Sequence, residues 1–164
     1  TALEAILAAA GKDSLFIMLG SGERYLEERF AEIARSHDNF LYLRGYVESF
    51  SDPLYSSADL FLMPSSFEPC GISQMLAMRA GQPCVVHAVG GLKDTVIDNV
   101  TGFVFDGDTP AEQAANFVSS VHEAIAIKQN DPAQWQTISS NAAAQRFSWD
   151  AAAEAYLESL YQLG

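Results

Sequence analysis

Apolar residues along this chain alternate between two rhythms. Leu3, Ile6 and Leu7 stand at helix spacing up to Gly11, and residues 14–19 then form a short apolar run before the turn Gly20-Ser21-Gly22. From Glu23 to Ser36, Tyr25, Leu26, Phe30 and Ile33 share one helical face, and residues 39–43 make a second apolar run closed by Gly45. A loop carrying Pro53 and a short helix at Leu54-Tyr55 lead to a third run over 59–63, stopped by Pro64, which has no N–H to give a ladder. Ile72, Met75, Leu76 and Ala80 predict a helix over 72–80, with Gly81 and Pro83 ending it before a strand at 84–86. After Gly90-Gly91 the pattern predicts a short helix over 94–98 and a fifth strand over 101–105. Three helices follow, from Ala111 to about Lys128, Pro132 to Ala144 and Trp149 to Leu163, with Asp108-Thr109-Pro110 and Asp131-Pro132 as the starts of the first two.

Strands that are apolar almost throughout, rather than alternating, are buried on both faces, so the expected fold is α/β: a parallel sheet with helices on both sides. A length of 164 residues suits one such domain, without repeat, linker or low-complexity tract. Nine Lys and Arg against 21 Asp and Glu give a net charge of −12, which repels polyanions and argues against nucleic acid or an anionic membrane as partner. No apolar stretch approaches the roughly 20 residues of a spanning helix, and 49% hydrophobic residues are too many for a disordered chain. The charged fraction, 18%, lies below the usual value of about 25% and points to a surface that another element covers, although alanine accounts for much of the apolar excess. Cys70 and Cys84 have neither metal-ligand spacing nor a disulfide framework; they read as free buried thiols in a reducing, cytoplasmic setting, and no leader segment opens the chain.

Ligands of open parallel sheets gather where strands end and backbone amides face a crevice. Here those ends are Gly20-Ser21-Gly22, Gly45-Tyr46, residues 65–71 and residues 88–91. Gly20 and Gly22 suit either a phosphate contact or a plain tight turn. The richest segment is Pro64-Ser65-Ser66-Phe67-Glu68-Pro69-Cys70-Gly71-Ile72-Ser73-Gln74. Gly71 permits close backbone approach, the amides of Ile72 and Ser73 can donate to an anion, and Glu68 can accept from two adjacent hydroxyls, as a phosphorylated sugar would require. The same residues also fit a plainer role in which Glu68 caps the helix and Cys70 packs inward. Cys70 at a helix start also admits a nucleophilic or redox role, with no resolving cysteine nearby in sequence. His37 and His122 fall on presumed water-facing helices, His87 beside the crevice, and Trp135, Trp149, Tyr156 and Tyr161 read as core residues of the last helices or a hinge to a further domain.

Phe67-Glu68-Pro69-Cys70-Gly71, Gly90-Gly91-Leu92-Lys93-Asp94-Thr95-Val96 and Thr101-Gly102-Phe103-Val104-Phe105 together resemble the bacterial glycogen synthase and plant starch synthase family. The Gly45-Tyr46 corner, Phe147-Ser148-Trp149 and the closing helix also fall where that family has them, so the likeness covers nearly the whole chain. The resemblance implies a retaining glucosyltransferase of the GT-B fold, of which this chain is most of the carboxy-terminal, Rossmann-like, donor-binding domain. By that likeness Glu68 is the catalytic-site residue that holds glucose hydroxyls, and the backbone of Cys70 and Gly71 lines the sugar. The amides of Ile72 and Ser73 receive the distal phosphate, Tyr46 stacks on the base, and Gly90 and Gly91 shape the adjacent wall, with Gly20 and Gly22 in support.

The implied donor is ADP-glucose or UDP-glucose, and the implied acceptor is an α-1,4-glucan held by an amino-terminal domain outside this sequence. No metal or cofactor is implied, and the implied location is the cytoplasm, or a plastid if the source is a plant. The sequence departs from the family at several points. Leu76 stands where a second glutamate or a tyrosine is usual, Ser66 where arginine is common, His87-Ala88 replaces an arginine pair, and Ser73 replaces threonine. The family's phosphate-binding arginine and lysine precede the first helix, where this sequence begins, and none of its nine basic residues occupies those positions. A departing diphosphate needs such cations, so the chain alone is expected to be inert. The rival expectations are another GT-B sugar-nucleotide transferase, a sugar-nucleotide epimerase, disfavoured by the Phe-Glu-Pro-Cys-Gly segment together with Gly-Gly-Leu, and a non-catalytic sugar-nucleotide-binding module.

Overall fold

The computed structural model describes residues 1–161. The chain alternates helix and strand in the order α1 (Ala2–Ala10), β1 (Phe16–Gly20), α2 (Arg24–Ser36), β2 (Phe40–Arg44), α3 (Glu48–Ser57), β3 (Phe61–Met63), α4 (Ser73–Arg79) and β4 (Cys84–His87). It continues through α5 (Gly90–Thr95), β5 (Gly102–Phe105), α6 (Pro110–Asn130), α7 (Pro132–Ala144) and α8 (Trp149–Tyr156), with a π-helical turn over Leu157–Tyr161. All strand pairs are parallel, as crossover helices require. The ladder comes in two sections: β1 pairs β2 with Phe16 opposite Phe40, and β4 lies between β3 and β5 with Val85 opposite both Leu62 and Phe103. Phe16 of β1 packs against the same core cluster as Leu62 of β3, which brings the two sections together without a hydrogen-bonded ladder.

The core follows from the twofold period of a strand. Val85 points into one cluster with Ile6, Phe103, Phe105, Phe117, Val121 and Ile138, supplied by α1, β5, α6 and α7. Its neighbours Cys84 and Val86 point the other way, into Ala77, Met78, Leu92 and Val96 from α4, α5 and the residue after it. Helices therefore cover both faces of β4, each fully buried large side chain contributing roughly 1.5–3 kcal/mol. A third cluster, Leu7, Ile33 and Phe40, joins α1, α2 and β2. Thr109 and Glu112 form a capping box at the start of α6, and Asp131 accepts from the Gln134 N–H at the start of α7. Both helices begin where the Thr-Pro and Asp-Pro pairs place them.

Several elements differ from the pattern-based reading. Residues 48–57 form one helix with Pro53 inside it, in its second turn, where the ring leaves the Ser49 carbonyl without its usual i+4 donor. α5 begins at the glycine pair and ends at Thr95 rather than running over 94–98, because tertiary hydrogen bonds to Gly91 outweigh the poor helix propensity of glycine. The buried face of α4 is Gln74, Ala77 and Met78, while Ile72 and Ala80 are exposed. On α2 it is Glu27 and Ile33, with Tyr25 and Leu26 exposed. In both cases a polar side chain takes a buried position to bond backbone, which a hydrophobic template assigns to water.

Ile17 and Leu41, register partners on β1 and β2, remain part-exposed because α2 covers only the other face of that pair. Trp135 packs on the core as expected, whereas Trp149 is 90% and Tyr156 62% exposed, so α8 turns its aromatics outward. The His122 ring nitrogen Nε2 is buried rather than facing water. The expected end of the last helix at Leu163 and the side chain of Tyr161 lie outside the described residues.

Candidate functional site

The carboxyl ends of the strands carry two groups of sequence-singled residues. The first surrounds the ends of β1 and β2. The Gly45 N–H donates to the Gly20 carbonyl at 2.9 Å, closing the Gly20-Ser21-Gly22 turn against the Gly45-Tyr46 corner. Gly45 has φ +116°, a conformation side chains resist, and Tyr46 beside it is 76% exposed with its ring free to stack. The almost fully buried carboxylate of Glu27 ties this group together. It accepts from the Gly22 N–H at 3.1 Å and pairs with the guanidinium of Arg44, the residue before Gly45. The Gly22 amide is thereby committed within the protein, and any phosphate contact at this turn falls to other atoms. A Cβ on Gly20 or Gly22 would meet nothing within 4 Å, so no packing inside the chain demands glycine at either position.

The second group is the bend between β3 and α4. Gly71 takes φ +74° and delivers the chain into α4. The N-cap of that helix is Ile72, with no side-chain cap bond, and Cys70 is exposed. Both plainer expectations are thereby removed: Glu68 does not cap the helix, and Cys70 does not pack inward. Cys84 does lie buried, and burial pushes its thiol well above the ordinary range. Glu68 is half-buried, neither turned into the core nor free in solvent. Ile72 is 67% exposed at the helix start beside the half-buried Ser73.

Gly90 and Gly91 pack against this bend, and the fit is close. The Gly91 N–H donates to the carbonyls of Glu68 and Pro69 at 3.3 and 3.2 Å. A Cβ on Gly91 would lie 2.7 Å from the Cα of Cys70 and nearer still to its carbonyl oxygen, and one on Gly90 would collide with the Glu68 carbonyl. Glu68, Cys70, Gly71, Gly90 and Gly91 are thus one assembly, with Ile72 and Ser73 on its flank. No hydrogen bond among the described residues links it to the Gly20, Gly22 and Tyr46 group.

His87 does not present itself to a ligand. Its ring is 4% exposed and stacks on Phe105, 5.0 Å between centroids and 9° between planes, while Nδ1 donates to the Ser65 carbonyl at 2.9 Å. Its Nε2 lies 3.7 Å from Oδ1 of Asp106. The residue therefore anchors the start of the β3–α4 bend to the ends of β4 and β5. Glu27 and Gln74 also escaped the sequence reading. The signal available for Gln74 was its spacing from Ala77 and Met78, which puts a polar residue on an otherwise apolar helical stripe. Among the described residues no group of three or more His, Cys, Asp or Glu is placed to hold a metal, and no helix is long and apolar enough to cross a membrane.

Comparison with known proteins matches residues 1–123 to the family model described as glycosyl transferases group 1. The glycogen synthase of Alkalilimnicola ehrlichii is 41% identical over 163 residues, covering 95% of this chain and 32% of the relative. That of Thioalkalivibrio sulfidiphilus is 39% identical over 162 residues, covering 93% and 32%. The chain thus spans about a third of the length of the curated relatives it matches. Among solved structures, the catalytic domain of starch synthase IV from Arabidopsis thaliana bound to ADP and acarbose superposes with a TM-score of 0.75 at 31% identity, covering 88% of this chain and 31% of that one. Anabaena Alr3699/HepE in complex with UDP-glucose gives 0.69 at 26% identity, covering 98% and 45%. The parallel α/β layers, the glycine-walled bend and these matches agree: the chain belongs to the glycosyl transferases group 1 family, and it is similar to glycogen and starch synthases.

Proposed function

We propose that this chain is the carboxy-terminal, donor-binding domain of a retaining glucosyltransferase. The enzyme moves glucose from ADP-glucose, or from UDP-glucose, to the non-reducing end of an α-1,4-glucan. The observation that carries the reading is the bend itself: Glu68 stands half-buried on a loop whose backbone is clamped against Gly90-Gly91, and it neither caps α4 nor turns into the core. A carboxylate held in that way suits neighbouring sugar hydroxyls, which it accepts from as a charge-assisted pair. Cys70 and Gly71 line the sugar, the uncapped amides of Ile72 and Ser73 meet the distal phosphate, Tyr46 stacks on the base, and Gly20 and Gly22 leave open space along the diphosphate. UDP-glucose, a sugar nucleotide bound to the neighbour Alr3699/HepE, and the nucleotide ADP bound to starch synthase IV support that class of donor.

In this reading the nucleotide departs and the acceptor attacks from the same face, the leaving phosphate taking the acceptor's proton, and no metal takes part. An amino-terminal domain supplies the glucan site, and upstream cations supply the charge that a leaving diphosphate demands. Arg24, the basic residue nearest the first turn in sequence, is paired with Glu28, and Arg44, whose neighbour Gly45 bonds to that turn, is paired with Glu27. The exposed Tyr46, Phe67 and Trp149 suit a surface that the other domain covers. The bacterial relatives favour the cytoplasm as the setting.

Calorimetric titration of the 164-residue chain with ADP-glucose, UDP-glucose and glucose 1-phosphate tests the site. Weak binding that prefers a nucleotide sugar is expected, and equal indifference to all three compounds overturns the reading.

A further inference from the structure

Gln74 is a fully buried polar side chain at 0% exposure, and it is spent entirely on the bend. The two hydrogens of its Nε2 are shared among three acceptors, the carbonyls of Cys70 at 3.1 Å and Gly71 at 2.9 Å and Oγ1 of Thr95 at 3.2 Å. The Thr95 hydroxyl donates in turn to the Gly91 carbonyl at 2.7 Å. The Gly91 N–H returns to the carbonyls of Glu68 and Pro69. Four successive carbonyls, Glu68 to Gly71, are therefore held from one side by a circuit that joins α4 to α5. The cost is visible in the same side chain: Oε1 of Gln74 is buried without a partner. The amide orientation follows from its surroundings, since turning it over would set oxygen against the two carbonyls.

We infer that Gln74 and Thr95 form a latch that positions the sugar-gripping bend, with Gln74 as a positioning residue that itself touches no ligand. The functional half of this inference rests on the donor-site reading above. The latch fixes the direction in which Glu68 leaves the backbone and has no bond to the Tyr46 and Gly20 group, so it acts on the sugar rather than the base. Discrimination between a nucleotide sugar and the bare nucleotide is its specific output.

The test uses the 164-residue chain and the variants Gln74→Met, Thr95→Val and Thr95→Ser. Amide exchange by NMR reads the latch without ligand. The Gly91 N–H is expected to exchange about tenfold faster or more in Gln74→Met and Thr95→Val, to recover in Thr95→Ser, and the Val85 and Phe103 amides to keep their rates. Thr95→Val preserves side-chain shape and keeps the measurement available should Gln74→Met fail to fold. Titration then reads the consequence: affinity for ADP-glucose falls about tenfold in Gln74→Met while that for ADP changes less than about threefold. Unchanged exchange at Gly91, or ADP and ADP-glucose weakened alike, overturns the latch. A wild-type chain that binds ADP-glucose no better than ADP removes the donor-site reading instead, and the exchange rates still decide the latch.

Discussion

Gly91→Ala sets two physical effects against each other, and the structure gives the sign. Gly91 is the second residue of α5 and its φ is not in the left-handed region, so propensity and unfolded-chain entropy favour alanine there by about 0.4–1 kcal/mol. Against this, the new Cβ would stand 2.7 Å from the Cα of Cys70 where ordinary contact begins at 3.4 Å, so bend and wall must part by at least 0.7 Å. The atoms in the way are backbone, with no flexible side chain to yield, and overpacking of this kind costs typically about 1–3 kcal/mol. The net expectation is a loss of about 1–2 kcal/mol, or a fall of about 2–8 °C in melting temperature for a domain of this size. Displacement on that scale also disturbs the grip on the sugar, and affinity for ADP-glucose should drop about tenfold or more. Differential scanning calorimetry and titration measure both on the same sample. A variant that melts higher than wild type, as propensity alone demands, refutes the close-approach argument. One that melts lower but binds equally well separates the bend from the donor.

Other consequences are as direct. Gly20→Ala and Gly22→Ala introduce a methyl group into open space and should leave the melting temperature within about 2 °C of wild type while weakening ADP-glucose binding; full affinity in both variants would take this turn out of the site. Iodoacetamide at neutral pH should label Cys70 and leave Cys84 untouched until the chain unfolds, because burial holds the Cys84 thiol protonated, and ADP-glucose should slow the Cys70 reaction; mass spectrometry of the labelled peptides decides. Glu27→Gln keeps one acceptor for the Gly22 N–H and loses the ion pair to the largely exposed Arg44, so urea unfolding should show a loss of about 1–2 kcal/mol, below the range for wholly buried pairs; no measurable loss would mean that Glu27 does not hold the two turns together. Phe103→Ala, in the buried cluster around Val85, should cost about 3–5 kcal/mol by the same assay.

The fold was readable where one physical signal acted alone. Unbroken apolar runs marked all five strands and their parallel arrangement, and the Thr-Pro and Asp-Pro pairs marked the starts of α6 and α7 to within a residue. It was not readable where backbone bonding overrides hydropathy: Glu27 and Gln74 take buried positions because their side chains satisfy backbone groups of the loops just before their own helices, and this rotates the buried faces of α2 and α4 away from the apolar stripe. Trp149 and Tyr156 carry the helical spacing of a packed face, but spacing does not say whether the partner lies within the same chain. Glu68, Gly71, Gly90 and Gly91 were each legible as strand-end residues. Their mutual contact was not, because it depends on β3 lying beside β4, with Met63 opposite Val86, which carries two segments some 20 residues apart to the same edge of the sheet. His87 was placed beside the crevice correctly, yet its ring is used to anchor Ser65.

The central claim is that the β3–α4 bend grips a hexose through Glu68. A crystal of this chain soaked with ADP-glucose tests it most directly. A glucose ring is expected against the Glu68 carboxylate and the Cys70-Gly71 backbone, with the diphosphate over Ile72 and Ser73 and the adenine on Tyr46. Nucleotide sugar bound elsewhere, with this bend empty, contradicts it.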